Sequence, residues 1–197
     1  MKKKVLLACE ESQTCLTAFR EKGIEAYSCD IKKCSGNFPE YHIQDDLLKV
    51  LKYNWSVIIA FPPCTDLTLV NPKKLFEKKL IEGKPQKALK FIQTIYDSCD
   101  TVCIENPLSS YLNKNWLPYS QIIQPYYFGH NYSKRTCLWL KNLPILISTL
   151  YGYERTPMTS NKPNQKAWAN SPNATIRSKF HTGVAKAMSE QWIEYLK

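Results

Sequence analysis

The chain has 197 residues, 44% of them hydrophobic and 12% aromatic, which suits one domain with a substantial core and excludes a disordered polypeptide. No apolar run approaches the roughly 18 residues of a membrane span, so no membrane partner is expected. A formal net charge of +10 favours polyanionic partners, DNA or a nucleotide among them, although solubility alone would also account for it.

The N-terminus, Met-Lys-Lys-Lys-Val-Leu-Leu-Ala-Cys-Glu-Glu, briefly resembles a secretory leader. Glu10 cuts its apolar part short, so Lys4–Cys9 reads as a first strand and the protein as cytoplasmic. Thr14–Lys22 reads as a helix stopped by Gly23, and Glu25–Cys29 as a strand ending in Asp30. Asp45–Leu51 suggests a short helix. The apolar run 55–61 is a buried strand that Pro62 and Pro63 must end, since neither can continue a ladder. Pro85–Cys99 carries Ala88, Phe91, Ile92 and Ile95 on one helical face, and strand 101–105 follows. Such alternation predicts an α/β fold with a mostly parallel sheet and helices on both faces.

After Pro107 the texture changes. Residues 108–133 are rich in Asn, Tyr, Ser and Pro, with a strand expected at Gln121–Gln124 and another at Arg135–Leu140. Prolines and polar punctuation in 151–176 predict a long irregular loop. Gly183–Leu196 reads as a closing helix, with Val184, Ala187, Met188, Trp192 and Leu196 along one stripe. Residues 1–197 are expected to form a single domain.

The cysteines lie at positions 9, 15, 29, 34, 64, 99, 103 and 137, with no Cys-x-x-Cys and no histidine pair at ligand spacing. Most sit in apolar segments, where a thiol acts as a small hydrophobe. Reduced structural thiols are expected, and no metal. Cys64 is different. It follows a stiff turn at a strand's carboxyl end, where open α/β sheets place their ligands. A thiol there reads as a candidate nucleophile, with a packed cysteine as the bland alternative.

Glu105 ends a very hydrophobic strand, where a charge is costly unless it meets a partner or a ligand. One reading is a carboxyl that binds and protonates a ring nitrogen, its pKa raised by partial burial; the other is a cap or an ion pair. Asp30 at its strand end suits ribose hydroxyls, and Asp46 either caps a helix or meets an adenine amine. His42, His130 and His181 are isolated, with His42 and His181 read as surface or core histidines. Tyr126, Tyr127 and Phe128 are core or base-stacking residues. Lys134-Arg135 is a basic pair that solvation alone would explain.

These motifs, in this order, resemble those of the DNA cytosine-5 methyltransferases. That family's Pro-Pro-Cys is similar to Pro62-Pro63-Cys64, and its Glu-Asn-Val to Glu105-Asn106-Pro107. Phe128-Gly129, then Lys134-Arg135-Thr136 and Cys137–Leu140, resemble its later Phe-Gly segment and basic cluster. Thr182-Gly183-Val184-Ala185 resembles its terminal helix start. Closer still are small phage- or prophage-encoded methyltransferase-like proteins with the layout found here at Ala8-Cys9-Glu10, 61–65, 104–107 and 137–140.

The resemblance implies a Rossmann-like, methyltransferase-type fold and S-adenosylmethionine as cofactor. It implies Cys64, Glu105 and Lys134 as catalytic residues: Cys64 adding to C6 of a flipped cytosine, Glu105 engaging N3 and Lys134 steadying the site. Glu10, Asp30, Asp46, Phe61 and Pro62 would then border the cofactor, and Pro63, Thr65, Asn106 and Arg135 the substrate.

Three departures qualify it. Glu10-Glu11-Ser12-Gln13-Thr14 replaces a glycine-rich loop, and its carboxylates would repel a methionyl carboxylate while attracting an amine. Thr65 stands in place of a glutamine. About forty residues between Leu140 and the last helix leave no room for a usual target-recognition domain, so a protein partner for target recognition, or a nucleotide or single-stranded substrate, is implied. The alternative is a methyltransferase-shaped binder without methylation activity, gripping a nucleotide or host partner, as an anti-defence protein of a phage would in a bacterial cytoplasm.

Overall fold

The computed structural model describes residues 3–69, 73–130, 132–150 and 180–196. Its strands are β1 (Val5–Ala8), β2 (Ala26–Asp30), β3 (His42–Gln44), β4 (Val57–Ala60), β5 (Val102–Pro107), β6 (Gln121–Ile123) and β7 (Thr136–Lys141). Its helices are α1 (Thr14–Glu21), α2 (Leu47–Val50), α3 (Lys73–Ile81), α4 (Lys84–Asp97), α5 (Leu112–Asn115), α6 (Thr182–Gln191) and α7 (Ile193–Leu196).

The strands form one sheet in the order β3-β2-β1-β4-β5-β7-β6. Strands β1 to β5 pair in parallel, while β7 runs antiparallel to β5 and β6. This is the α/β, Rossmann-like, mostly parallel sheet that the alternation predicts. The strand order reverses between β1 and β4, so a crevice opens at the carboxyl ends of those strands.

Each face of the sheet is covered. Val5, Leu7, Val57, Ile59 and Cys103 pack under α1 and α6. Leu6, Ala8, Ile58, Ala60, Val102 and Ile104 pack against α2 and α4. All four residues of β1 and of β4 are buried, as expected of strands hidden on both faces. No helix among the described residues is long and apolar enough to cross a membrane.

Three elements went unforeseen: β3, α3 and the single turn α5. β3 is a three-residue edge strand whose His42 and Gln44 give no apolar alternation. α3 buries none of its residues, so it offers no hydrophobic stripe to read. The closing helix also breaks at Trp192, whose indole turns inward to donate to the Pro144 carbonyl at 2.9 Å. The expected loop at 151–176 lies outside the described residues.

Candidate active site

The turn after β4 is tied to the turn after β5. Pro62 and Pro63 end the ladder, and Leu67 and Thr68 both donate backbone N–H groups to the Cys64 carbonyl, at 3.0 and 2.9 Å. From the β5 side, Tyr111 N–H reaches the Leu67 carbonyl at 2.7 Å and Leu69 N–H the Ser109 carbonyl at 2.9 Å. Asn106, wholly buried, donates from Nδ2 to the Pro62 carbonyl at 3.3 Å and accepts from the Ser110 hydroxyl at 3.1 Å. Both polar ends of this amide are thus engaged inside the protein, bracing the turn that carries Cys64.

Cys64 and Glu105 are both half-buried. Burial pushes the Cys64 thiol up, the Glu105 carboxylate adds to the rise, and the Lys134 ammonium opposes it. Burial likewise raises the Glu105 carboxyl. Lys134 opposes that shift, as does the Thr136 hydroxyl, which stops short of full hydrogen-bond geometry with any group. Thiol, carboxyl and ammonium therefore lie within electrostatic reach of one another, at the exits of adjacent strands. Both shifts move these groups toward their protonated forms.

A ring of aromatic and imidazole groups closes the same region. Phe61, leaving β4, packs on Phe180 with ring centroids 4.6 Å apart. Buried His181 shares a 2.8 Å hydrogen bond between Nδ1 and the Tyr132 hydroxyl. His130 accepts from Gly183 N–H at 3.0 Å through Nε2, capping the start of α6, and so stands there as a neutral imidazole. Burial, then Lys134, then His130, push His181 down to about 3. Sequence reasoning gave segments 130–132 and 180–181 no role in the site, because they are far apart in the chain and show no ligand or catalytic spacing.

The crevice end of β1 is filled by the protein's own groups. Glu10 is only 4% exposed, and its carboxyl accepts from the free N–H groups of Cys15 and Leu16, the latter at 3.2 Å. Burial raises it to about 8 despite those two donors. Gln13, fully buried, donates to the Ser28 hydroxyl (3.1 Å) and the Phe38 carbonyl (2.8 Å) and accepts from Phe38 N–H (2.8 Å). Cys9 and Gln13 have φ of 60° and 56°, so the loop keeps a left-handed backbone without glycine.

The remaining expected site residues scatter. Asp30 is half-exposed and its Oδ1 accepts from Lys32 N–H at 2.9 Å, while Asp46 caps α2 by accepting from Leu48 N–H at 3.0 Å. Pro62 is buried beneath the turn, whereas Pro63, Thr65 and Arg135 are exposed around it. His42 bridges the Ser28 hydroxyl and the Lys32 carbonyl, both at 2.9 Å, as a structural histidine at the sheet edge. No group of three or more metal-ligating side chains occurs among the described residues.

No protein-family model matches the chain, and no curated protein matches its sequence. Among solved structures, it is similar to a triple mutant of DNMT2 from Spodoptera frugiperda, at 17% identity and a TM-score of 0.41. That likeness covers 78% of this chain and 53% of the other, so the chain spans about half the length of that structure.

Proposed function

We propose that the chain is a cytosine-5 methyltransferase-like enzyme acting on cytosine in DNA or in a nucleotide, with Cys64 as nucleophile and Glu105 engaging the base. The observation that supports it is the mutual electrostatic reach of Cys64, Glu105 and Lys134 at two strand exits tied together by Asn106. The Cys64 thiolate adds to C6 and forms an S–C6 bond. The Glu105 carboxyl gives its proton to N3, and the displaced π electrons make C5 nucleophilic. An electrophile joins C5, the C5 proton passes to solvent, and the S–C6 bond breaks with its electrons returning to sulfur while N3 hands its proton back to Glu105, which restores the ring. Lys134 stabilises the thiolate before attack.

S-adenosylmethionine is the methyl donor this reading names, and Asp30, Phe61 and Pro62 would border its adenosine. Its methionyl carboxylate does not fit at the start of α1, where Glu10 already holds the free amides of Cys15 and Leu16.

That same observation favours a second reading, in which the chain binds a nucleotide or host partner and has lost methylation.

One experiment separates the two. Addition at C6 makes C5 exchange its hydrogen with solvent even without a methyl donor. Deuterium should enter C5 of cytosine in D₂O with the native chain and not with Cys64→Ser. If no exchange occurs in DNA, RNA or nucleotides, the enzymatic reading fails. Calorimetry with S-adenosylmethionine and with plain nucleotides then shows which ligand the crevice takes.

A further inference from the structure

The Pro62-Pro63 turn has a second side. A cavity of about 250 Å³ lies there, walled by Pro62, Pro63, Ala88 and Phe91 and rimmed by Lys84 and Lys87 at the start of α4. Cys64 does not line it; Thr65 and Asp66 do. The volume falls below the roughly 300–1,000 Å³ of sites that enclose a drug-sized ligand, so it has room for one ring system and not for a whole cofactor.

The charge around it is unbalanced. Lys84 pairs with Glu82 at 2.6 Å, and Lys79 both pairs with Asp66 at 3.0 Å and donates to the Thr65 carbonyl at 2.6 Å. Lys87 is exposed and enters no ion pair among the described residues. The first turn of α4 contains no acidic residue and its Gly83 cap offers no side chain. Positive charge at a helix start is locally unfavourable, and an anion there relieves it. Lys74 and Lys78 of the neighbouring α3 are exposed as well.

We propose that this cavity is a flanking-nucleotide subsite: one base of a single-stranded nucleic acid stacks on Phe91 against the proline wall, and its phosphate meets Lys87. The inference rests on the proposed reading of Cys64, because it seats the neighbour of the target cytosine one turn away. It deepens that reading by naming a flexible single strand as the substrate. Stacking on an aromatic face tolerates any base, so the subsite supplies affinity and strand preference with little sequence readout.

The test measures binding apart from chemistry. Fluorescence anisotropy is recorded with labelled cytosine-containing single-stranded DNA and RNA, and with duplex DNA, for the native chain, Lys87→Glu, Phe91→Leu and Lys52→Glu. Lys52 is exposed and lines no part of this cavity, so its variant controls for net charge. Lys87→Glu and Phe91→Leu should each weaken single-strand binding about fivefold or more beyond the control. Cytidine mononucleotide exchange at C5 should stay unchanged in both. The better-bound sugar identifies the strand.

Losses no larger than that of Lys52→Glu overturn the subsite, as does a native chain that binds duplex DNA alone or no oligonucleotide. Subsite-dependent binding without any C5 exchange leaves the subsite standing and removes the Cys64 chemistry instead. Lys87 is on the surface, so its variant reports even if Phe91→Leu fails to fold.

Discussion

The Asn106 side-chain amide donates to the Pro62 carbonyl across 3.3 Å of buried space, joining the exit of β5 to the exit of β4. Pro62 and Pro63 lack N–H groups, so the turn that carries Cys64 cannot be held by its own ladder. The amide supplies what the prolines remove. Asn106→Ala leaves a buried carbonyl and the Ser110 hydroxyl without this partner and should cost about 1–3 kcal/mol in denaturant unfolding. It should also lower the C5 exchange rate more than it raises KM, because Asn106 positions the nucleophile without touching the base. Unchanged stability in that variant would remove the bracing role.

The Glu105 carboxylate pushes the Cys64 thiol up, so a change at Glu105 shows at Cys64. Glu105→Gln removes the carboxylate that pushes the thiol up. Iodoacetamide labelling of Cys64 at fixed pH should therefore accelerate, while C5 exchange falls by roughly 10²–10⁴-fold for want of a proton donor at N3. Lys134→Ala should move labelling the other way, since Lys134 holds the thiol down. Parallel changes in labelling and exchange in Glu105→Gln would contradict the assigned roles.

Much of this was legible in the residues, and the reasons differ from place to place. Cys64 and Glu105 stood out because each ends a β-branched run and cannot belong to the core that precedes it. The strands β1, β2, β4 and β5 followed from their apolar runs. The ring of His130, Tyr132, Phe180 and His181 was not legible, because only the fold brings those two segments together. Gln13 was equally hidden. A polar residue in a loop gives no sign that it will be fully buried and hold Ser28 and Phe38 at once.

Glu10 makes a pH signature of its own. Its carboxyl is raised from 4.5 to about 8 in the folded state, so the native protein holds a proton that the unfolded chain has released. The resulting stability is complete below about 4.5 and is lost as pH climbs through 8, at up to about 1.4 kcal/mol per pH unit. Between pH 6.5 and 8, melting temperature should fall in the native chain and stay nearly flat in Glu10→Gln, which keeps an acceptor for one amide of α1. A flat native profile in that window would mean that Glu10 is ionised where it lies.

His181 acts in the opposite direction. Burial holds its pKa down at about 3 against an ordinary 6.5, so the unfolded chain binds the extra proton as acid is added. Its contribution is whole above about 6.5 and is lost progressively toward 3. Other carboxylates titrate lower down, but Glu10 pulls the opposite way between pH 5 and 6.5. There the native profile should be nearly flat, and His181→Gln, left with Glu10 alone, should gain stability as pH falls, read by chemical denaturation at each pH.

Gly183 is where this corner of the fold is least forgiving. A Cβ at that position would lie 1.8 Å from the Phe128 carbonyl oxygen and 3.0 Å from its carbon, both backbone atoms that no rotamer change can move. Gly183→Ala must therefore push the start of α6 away from Phe128. The shift stretches the bond from Gly183 N–H to His130 and draws Phe180 off Phe61. Overpacking of this kind costs roughly 1–3 kcal/mol or more. With the aromatic ring opened, Cys64 should label faster at a given pH while melting temperature drops. A cooler melt with unchanged labelling would mean that α6 retreats without uncovering the thiol, and that Phe180 does not guard it.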